Sequence, residues 1–396
     1  MGQPLAGMRV ADFSHVIAGP LATHFLRLMG AEVIKVEPPT GDVLRNYTQR
    51  QELRGMAEPF IGVNAGKKSL VLDLKSEFGQ EAARRLIATS DVMIENFRPG
   101  VIDRLGLGHA RVMKDNPSLI YCSVSGYGQD GPMRDHPAID QIIQSVSGLM
   151  TLSGEDGASP MRIGFPVVDT YSALMTAFAV QSALLQRERD PQKQGQYVDV
   201  AMLDASLVMM ASVVYPLLIS GLAPVRTGNR GFSLAPTADT FPTRDQPITI
   251  GAVQQNQFER LCAVLGLDGL VHDPRFKDSD TRIANDDALQ AELRSAFAQY
   301  DAVECEALLA RAGVPAGAVR QVSEALALDQ LKGRNLTLDV PTPNPHVPMA
   351  KILNAGFQFA HDGPGHDAPP PALGEHSAEI LAELGMTDPL PSQPVA

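Results

Sequence analysis

Two aspartates have the residue type and the position in this sequence that could carry chemistry. Asp169 follows the apolar run 165–168 and opens a long, alanine-rich helical pattern, and Asp140 opens an earlier one. A carboxylate in such a position can act as a nucleophile, or it can cap the helix by accepting hydrogen bonds from free backbone N–H groups. The residues alone favour the cap, because aspartate is common at helix starts.

Three arginines could grip a carboxylate ligand, because a guanidinium binds a carboxylate through two parallel hydrogen bonds. Arg45 ends the segment 41–45, and Arg226 and Arg230 flank Gly228-Asn229. A surface loop position without any ligand is an equally good interpretation of each. We take Arg45 and Arg230 as candidate substrate ligands.

A glycine-rich segment, Gly126-Tyr-Gly-Gln-Asp-Gly131, has the GxGxxG spacing of dinucleotide-binding loops. It follows a predicted strand, but Pro132 and a charged stretch come after it instead of a helix whose N terminus would bind phosphate. We interpret it as a plain glycine-rich loop, with a nicotinamide-dependent oxidoreductase as the weaker alternative. The sequence has neither a GxxxxGK[ST] P-loop nor a GxSxG nucleophile elbow.

Composition excludes several other classes of protein. The 396 residues are 44% hydrophobic and 20% charged, which is typical of a globular protein. A net charge of -12 argues against nucleic acid and against an anionic membrane surface as partners. Three widely spaced cysteines and nine scattered histidines predict no disulfide framework and no metal site. No secretory signal and no 18-residue apolar span is found, so we expect a cytoplasmic protein.

Short apolar strands alternate with helical stretches in the first half of the chain, which predicts an α/β fold with a parallel sheet covered by helices. The predicted strands are Met8–Phe13, Glu32–Glu37, Ser69–Leu74, Val92–Phe97, Leu119–Val124 and Tyr197–Met202. The predicted helices include Pro20–Met29, Glu77–Ala88, Ala138–Leu149 and Asp169–Gln186.

The composition shifts near Leu222 and predicts a second domain. Residues 223–247 are rich in Pro, Thr, Gly and Arg and are interpreted as a linker. We predict a large Rossmann-like domain over 1–222, completed by 335–396, and a smaller α/β domain with its linkers over 223–334.

Six segments, taken together and in order, resemble one known family. They are Val10–Pro20, Gly30–Glu37, Gly66–Lys75, Asp91–Val101, Ser123–Gln129 and Gly374–Leu381. The chain closely resembles the class III coenzyme A transferases, whose superfamily also contains 2-methylacyl-CoA racemases. The resemblance runs nearly end to end, and it accounts for the glycine-rich loop without a nicotinamide.

The resemblance implies that Asp169 is the nucleophile. Its carboxylate would attack an acyl-CoA thioester, giving an aspartyl anhydride and then an enzyme–CoA thioester, from which a small carboxylic acid accepts CoA. The helix N terminus is expected to keep Asp169 ionised, and Asp140 is expected to support it. The resemblance also implies an interlocked homodimer and no tightly bound cofactor, with coenzyme A acting as substrate.

CoA-binding positions also carry over from the resemblance. They are Ile17, Ala18, Leu72, Lys75, Asn96, Phe97, Arg98 and Arg104. Lys75, Arg98 and Arg104 have the charge needed for phosphate contacts. Local sequence gives each cation only even odds of such a role, since residues 67–104 hold seven basic and six acidic residues.

Departures from the family pattern leave alternatives open. Pro38 stands where some relatives carry an adenine-contacting arginine, and Gln254 lies where a glycine run closes over the nucleophile in others. Gln254 is therefore a candidate donor to an oxyanion. Racemases have a His-Asp pair where this chain has Ile139-Asp140, so a transferase outranks a racemase. A CoA-binding protein without turnover is the remaining alternative.

Overall fold

The computed structural model describes residues 2–387 and divides the chain into two units. The first unit comprises Met1–Leu149, Arg162–Leu218 and Gln330–Ala396, as far as these are described. The second comprises Met150–Met161 and Ile219–Asp329. The segment 150–161 thus belongs to the smaller unit, although the predicted boundaries assign it to the larger domain.

The first unit is built on one six-stranded sheet in which every neighbouring pair is parallel. The strands are β1 (Arg9–Asp12), β2 (Glu32–Glu37), β3 (Lys68–Val71), β4 (Val92–Glu95), β5 (Ile120–Ser125) and β6 (Gln196–Ala201). Their order is β3-β2-β1-β4-β5-β6, which confirms the predicted Rossmann-like sheet. The order reverses between β1 and β4, and the loops that follow these two strands flank a crevice where such sheets bind ligands.

Helices cover both faces of this sheet. The helices of this unit are α1 (Ala18–Leu28), α2 (Glu58–Asn64), α3 (Glu77–Ala88), α4 (Val101–Arg104), α5 (His109–Asp115), α6 (Asp140–Val146), α7 (Val167–Arg189), α8 (Met202–Met209) and α9 (Ala211–Ser220), of which the part up to Leu218 belongs to it. Successive residues of each strand point to opposite faces, so Val10 packs with α1 and α7 while Ala11 packs with α3. The sheet is therefore buried on both sides, as parallel sheets are.

The alternating sequence of β2, EVIKVE, suggests a strand with one polar face exposed to solvent, but the structure has no such exposed face. Lys35 and Glu37 are fully buried. The Lys35 Nζ atom lies 3.0 Å from Asp42 Oδ2, and Arg45 donates to both carboxylate oxygens of Glu37 at 2.7 Å. Buried charges are tolerated when they are paired in this way.

The second unit has a small antiparallel sheet with helices packed on it. The strands are β7 (Thr240–Phe241), β8 (Ile248–Ile250) and β9 (Ala316–Ala318). The helices are α10 (Gln255–Leu265), α11 (Asp268–Val271), α12 (Ser279–Ala284), α13 (Asp286–Phe297), α14 (Ala302–Arg311) and α15 (Val322–Leu326). Phe241 is fully buried in the core of this unit. The segment 223–247, interpreted from the sequence as a linker, therefore contains strand β7 and a residue of this core. A two-residue strand is too short to give a periodic signal in the sequence.

The C-terminal part of the chain returns to the first unit. After α16 (Asp329–Lys332), the strands β10 (Thr337–Pro341) and β11 (Met349–Leu353) form a hairpin, and α17 (Ser377–Glu383) packs beside β3. β3 is an edge strand, and its exposed N–H groups are satisfied by this segment. Val71 N donates to Ser377 Oγ at 3.0 Å, and Ser69 N donates to His376 Nδ1 at 3.3 Å.

Helix length and hydropathy bear on the possibility of a membrane segment. No single helix within residues 2–387 is both long and apolar enough to cross a membrane. Helices α8 and α9 meet the criteria of length and composition only as a pair, and the pair is bent by 84°.

Candidate active site

Asp169 lies in the first turn of α7, two residues after the helix begins. It is not the residue that caps this helix. The capping carboxylate is that of Asp140, whose Oδ2 atom accepts hydrogen bonds from Val168 N at 2.8 Å and from Asp169 N at 3.1 Å. Asp140 is the buried first residue of α6. The two aspartates singled out in the sequence therefore come together, with one holding the backbone of the other.

Gln144, one turn after Asp140 on α6, connects this cap to the preceding loop. Its Nε2 atom donates to Asp140 Oδ1 at 2.6 Å, and its Oε1 atom accepts from Ile163 N at 2.9 Å. Gln144 is fully buried. The Asp140–Gln144 pair thus holds both the approach to α7 and its first turn, and with that turn the backbone of Asp169.

The carboxyl group of Asp169 is held in an unfavourable environment for its charge. Burial, and then the neighbouring negative charge of Asp140, raise the pKa of Asp169 to about 7. The N terminus of α7 acts in the opposite direction and favours the ionised form. With a pKa of about 7, the carboxyl group is ionised only in part near neutral pH, so the expectation that the helix N terminus keeps Asp169 ionised stays a prediction. A carboxylate that is costly to ionise is more basic, and so a better nucleophile, than an exposed one.

Replacing Asp140 with alanine should lower the free energy of unfolding by about 1–2 kcal/mol, because two backbone N–H groups lose their acceptor. The loss should be larger at pH 5 than at pH 8. At pH 8 Asp169 is ionised, and removal of the Asp140 charge relieves a repulsion that partly offsets the lost cap. Urea unfolding at both pH values measures this. Asp135→Ala, an exposed loop position, is the control, and equal losses for the two variants would contradict the capping role.

The CoA-binding positions expected from the resemblance follow the carboxyl ends of three strands of the parallel sheet. Ile17 and Ala18 come after β1, Leu72 and Lys75 after β3, and residues 96–98 after β4. The loops after β1 and β4 flank the point at which the strand order reverses, where phosphate-containing ligands bind in such folds. The loop after β3 lies at the same carboxyl end of the sheet. Arg104, the last residue of α4, follows them in the same connection.

Asn96 joins the loops after β1 and β4. Its Oδ1 atom accepts from His15 N and its Nδ2 atom donates to His15 O, both at 2.8 Å. The adjacent Val16 has φ of 68°, which is strained for a β-branched residue. Asp42 holds this residue by accepting from Val16 N at 3.2 Å. The amide of Asn96 thus positions the loop that precedes Ile17.

The candidate cations fall into two groups. Within residues 2–387, Lys75, Arg98 and Arg104 are exposed and form no ion pair with a carboxylate. Arg45, by contrast, is 3% exposed and is fully engaged by Glu37. Arg230 is paired with Asp239 and Asp286, both at 3.0 Å. The unpaired group is free to bind anions, whereas the guanidinium groups of Arg45 and Arg230 already hold carboxylates of the protein.

The remaining predicted positions have structural surroundings of their own. Gln254, in the second unit, precedes α10, and its backbone N donates to Gln257 Oε1 at 2.9 Å. Arg226 Nε donates to Thr151 O at 2.9 Å. No helix begins within 126–131 or directly after it, since the next one starts at Asp140. Within the described part of the chain, no cluster of three or more His, Cys, Asp or Glu side chains is arranged to hold a metal ion.

Glu95 is a buried carboxyl group that the sequence analysis missed. It ends β4, directly before Asn96, and its Oε2 atom accepts from Phe97 N at 2.9 Å. Burial raises the pKa of Glu95 to about 7. The available signal was a glutamate that ends an apolar strand, Val-Met-Ile-Glu, without a basic neighbour in sequence.

Comparison with known proteins gives the same family over nearly the full chain. The profile of CoA-transferase family III matches residues 5–377. The chain is 36% identical over 391 residues to an acetyl-CoA:oxalate CoA-transferase from Acetobacter aceti, with 96% of each chain covered. It is 32% identical over 395 residues to a succinate–glutarate CoA-transferase from Agrobacterium fabrum (strain C58), with 96% of each chain covered.

A solved structure agrees with this comparison. The crystal structure of a CaiB/BaiF family protein from Brucella suis matches with a TM-score of 0.87 and 35% identity, covering 97% of this chain and 100% of the other. The fold, the order of the motifs and the relatives all agree with the resemblance seen in the sequence. The chain belongs to CoA-transferase family III, and it is a CoA-transferase.

Proposed function

We propose that this enzyme moves CoA from an acyl-CoA donor to a small carboxylic acid, with Asp169 as the nucleophile. The observation that carries this proposal is the carboxyl group of Asp169, fixed by Asp140 through the backbone and raised in pKa to about 7. A fixed carboxylate of increased basicity suits attack on a thioester carbonyl. The relatives named above transfer CoA between small acids, which supports the same substrate class here.

The reaction consists of two matched halves. An oxygen of Asp169 attacks the thioester carbonyl, the C–S bond breaks, and an aspartyl acyl anhydride and CoA thiolate result. The thiolate then attacks the carbonyl carbon of Asp169, which releases the donor acid as a carboxylate and leaves an aspartyl–CoA thioester. The acceptor carboxylate attacks this thioester, the C–S bond breaks, and a second aspartyl acyl anhydride and CoA thiolate result. The thiolate then attacks the acceptor acyl carbon of this anhydride, which forms the new acyl-CoA and releases the carboxylate of Asp169. Each step exchanges one carboxyl derivative for another, so the thioester energy is retained without ATP.

An association of two copies of the chain belongs to the same proposal. Large apolar side chains on α7 and α9 are exposed in the single chain, with Phe178 at 64% and Leu218 at 73%. Exposed apolar surface is typical of a protein–protein interface. The family resemblance implies that the partner at this interface is a second copy of the chain. Sedimentation of the full chain should give twice the monomer mass.

A mass-spectrometric substrate panel tests the proposed activity. The protein is incubated with succinyl-CoA or acetyl-CoA and with oxalate, glutarate or mesaconate, and new acyl-CoA masses are sought. A new mass that is absent with Asp169→Ala supports the proposal, and hydroxylamine should trap the Asp169 adduct. Solvent-deuterium incorporation at the α-carbon without transfer would point to the racemase reaction instead. Tight CoA binding without either reaction would point to a CoA-binding protein that does not turn over.

The rate of transfer should rise with pH and level off above about pH 7. The raised pKa means that Asp169 is protonated, and so not nucleophilic, over more of the acid range than an ordinary aspartate. Asp140→Asn removes the repelling charge and should move the midpoint of the profile to lower pH. Measuring kcat/KM from about pH 5.5 to 8.5 for both proteins tests this. A midpoint that does not move would contradict the coupling of the two carboxyl groups.

A further inference from the structure

Two guanidinium groups from different connections of the sheet lie close to one glycine, Gly100. A methyl group on Gly100 would lie 3.4 Å from Nη1 of Arg104 and 3.7 Å from Nη2 of Arg134. Gly100 has φ of 76°, in the left-handed region that glycine adopts without strain. Because Gly100 has no side chain, both positive groups can lie close to its backbone.

One of the two charges has no counter-charge among the described residues, and the other is paired only with an exposed carboxylate. Arg104 forms no ion pair within residues 2–387, and Arg134 Nε is buried without a hydrogen-bond partner. The nearest carboxylate to Arg134 is that of Asp135, 3.6 Å from Nε, and that side chain is 81% exposed. Like charges held close together are unfavourable, so this arrangement gains stability when an anion lies between them.

The position of Arg104 and Arg134 in the sheet indicates which kind of anion they would bind. Arg104 follows β4 and Arg134 follows β5, two neighbouring parallel strands. Asn96 and Phe97, at CoA-binding positions, lie in the same connection as Arg104. CoA carries a ribose 3′-phosphate and a diphosphate, and guanidinium groups bind phosphate oxygens through two parallel hydrogen bonds.

We propose that Arg134, together with Arg104, binds a phosphate group of CoA. This inference rests on the CoA chemistry of the proposed function. Arg104 was expected at a phosphate from the family resemblance, whereas Arg134 comes from the geometry over Gly100 alone. Arg134 would therefore be a further determinant of CoA affinity, supplied by the loop that contains the glycine-rich segment.

Calorimetric titration of the full-length protein with free CoA tests the proposal. Arg134→Gln should weaken binding about tenfold, as expected for the loss of a charge-assisted hydrogen bond, and Arg134→Lys should recover part of the loss. Added salt should weaken binding by the wild type more than by Arg134→Gln. Arg111→Gln is the matched control, because Arg111 is 67% exposed and lies 3.9 Å from Asp115.

Dephospho-CoA, which lacks the 3′-phosphate, identifies the group that is bound. If Arg134→Gln loses affinity for CoA but not for dephospho-CoA, the site holds the 3′-phosphate. Equal losses for both ligands place the diphosphate there, and either result supports the inference. Wild-type affinity in Arg134→Gln, or an equal loss in Arg111→Gln, would overturn it. Failure of the wild type to bind CoA would instead remove the proposed function, and thermal melting of each variant confirms that it is folded.

Discussion

Replacing Asp169 with asparagine is expected to lower the rate of CoA transfer by at least about 10³-fold, because the nucleophile of the proposed mechanism is lost. The amide keeps the size of the side chain and leaves the backbone bond from Asp169 N to Asp140 in place. Steady-state transfer with the substrate pair identified in the panel gives the rate, and CoA binding should be retained. A variant with more than about a tenth of wild-type activity would remove Asp169 from the mechanism.

The same variant should be at least as stable as the wild type, which separates a catalytic loss from a folding defect. The pKa of Asp169 is raised in the folded protein, so folding binds a proton between about pH 4 and pH 7 and stability falls as the pH rises through this range. An asparagine cannot ionise. The melting temperature of Asp169→Asn should therefore match the wild type near pH 4 and exceed it at pH 8. Asp156→Asn, at an exposed turn position, should change neither activity nor melting.

Replacing Lys67 with methionine is expected to lower the free energy of unfolding by about 3–5 kcal/mol, because it removes the ammonium group that pairs directly with the buried carboxylate of Asp12. Lys67 Nζ lies 3.0 Å from Asp12 Oδ2 and donates to Pro20 O, Thr23 Oγ1 and Asn64 Oδ1. Burial alone would raise the pKa of Asp12, but Lys67 and Lys35 hold that pKa well below its usual range. Denaturant unfolding of the full chain at constant protein concentration measures the loss.

Lys68→Met is the matched control, one residue away. Its side chain is 29% exposed and pairs with Glu32 and Glu379 at the surface, where such pairs contribute at most about 1 kcal/mol. The double variant Asp12→Asn/Lys67→Met should recover part of the stability, since no unpaired charge remains. If Lys67→Met were as stable as Lys68→Met, the buried network would not hold the loop that follows β1.

Much of the first unit could be predicted from local sequence. The helix Glu77–Ala88 has both predicted ends, because Ser76 caps it by accepting from Gly79 N at 3.0 Å and its apolar residues repeat with helical spacing. Strand β2 also has both predicted ends. The predicted helix Ala138–Leu149 is shorter at each end, since Ile139 is extended and Gly148 has φ of 84°.

Most of the contacts that form the site could not be predicted from local sequence. The cap of α7 comes from Asp140, 29 positions earlier, and no local pattern signals a contact of that range. In the same way, Lys35 in EVIKVE looks like a solvent-facing residue until its partner Asp42 is seen in space. Residue type indicated the catalytic candidates, but burial and long-range pairing decide which charges are free to bind a ligand.

The pairing of β3 with residues 374–377 has a consequence for the order of biosynthesis. One edge of the main sheet is made early in translation, whereas the groups that cover it, His376 and Ser377, are made about 300 residues later. During all of that time, including the synthesis of the whole second unit, the nascent sheet has an open edge that can pair with another chain. The first unit is therefore the last to be completed on the ribosome. A chain that ended before residue 374 would be released with the edge of β3 unpaired and able to bind another chain.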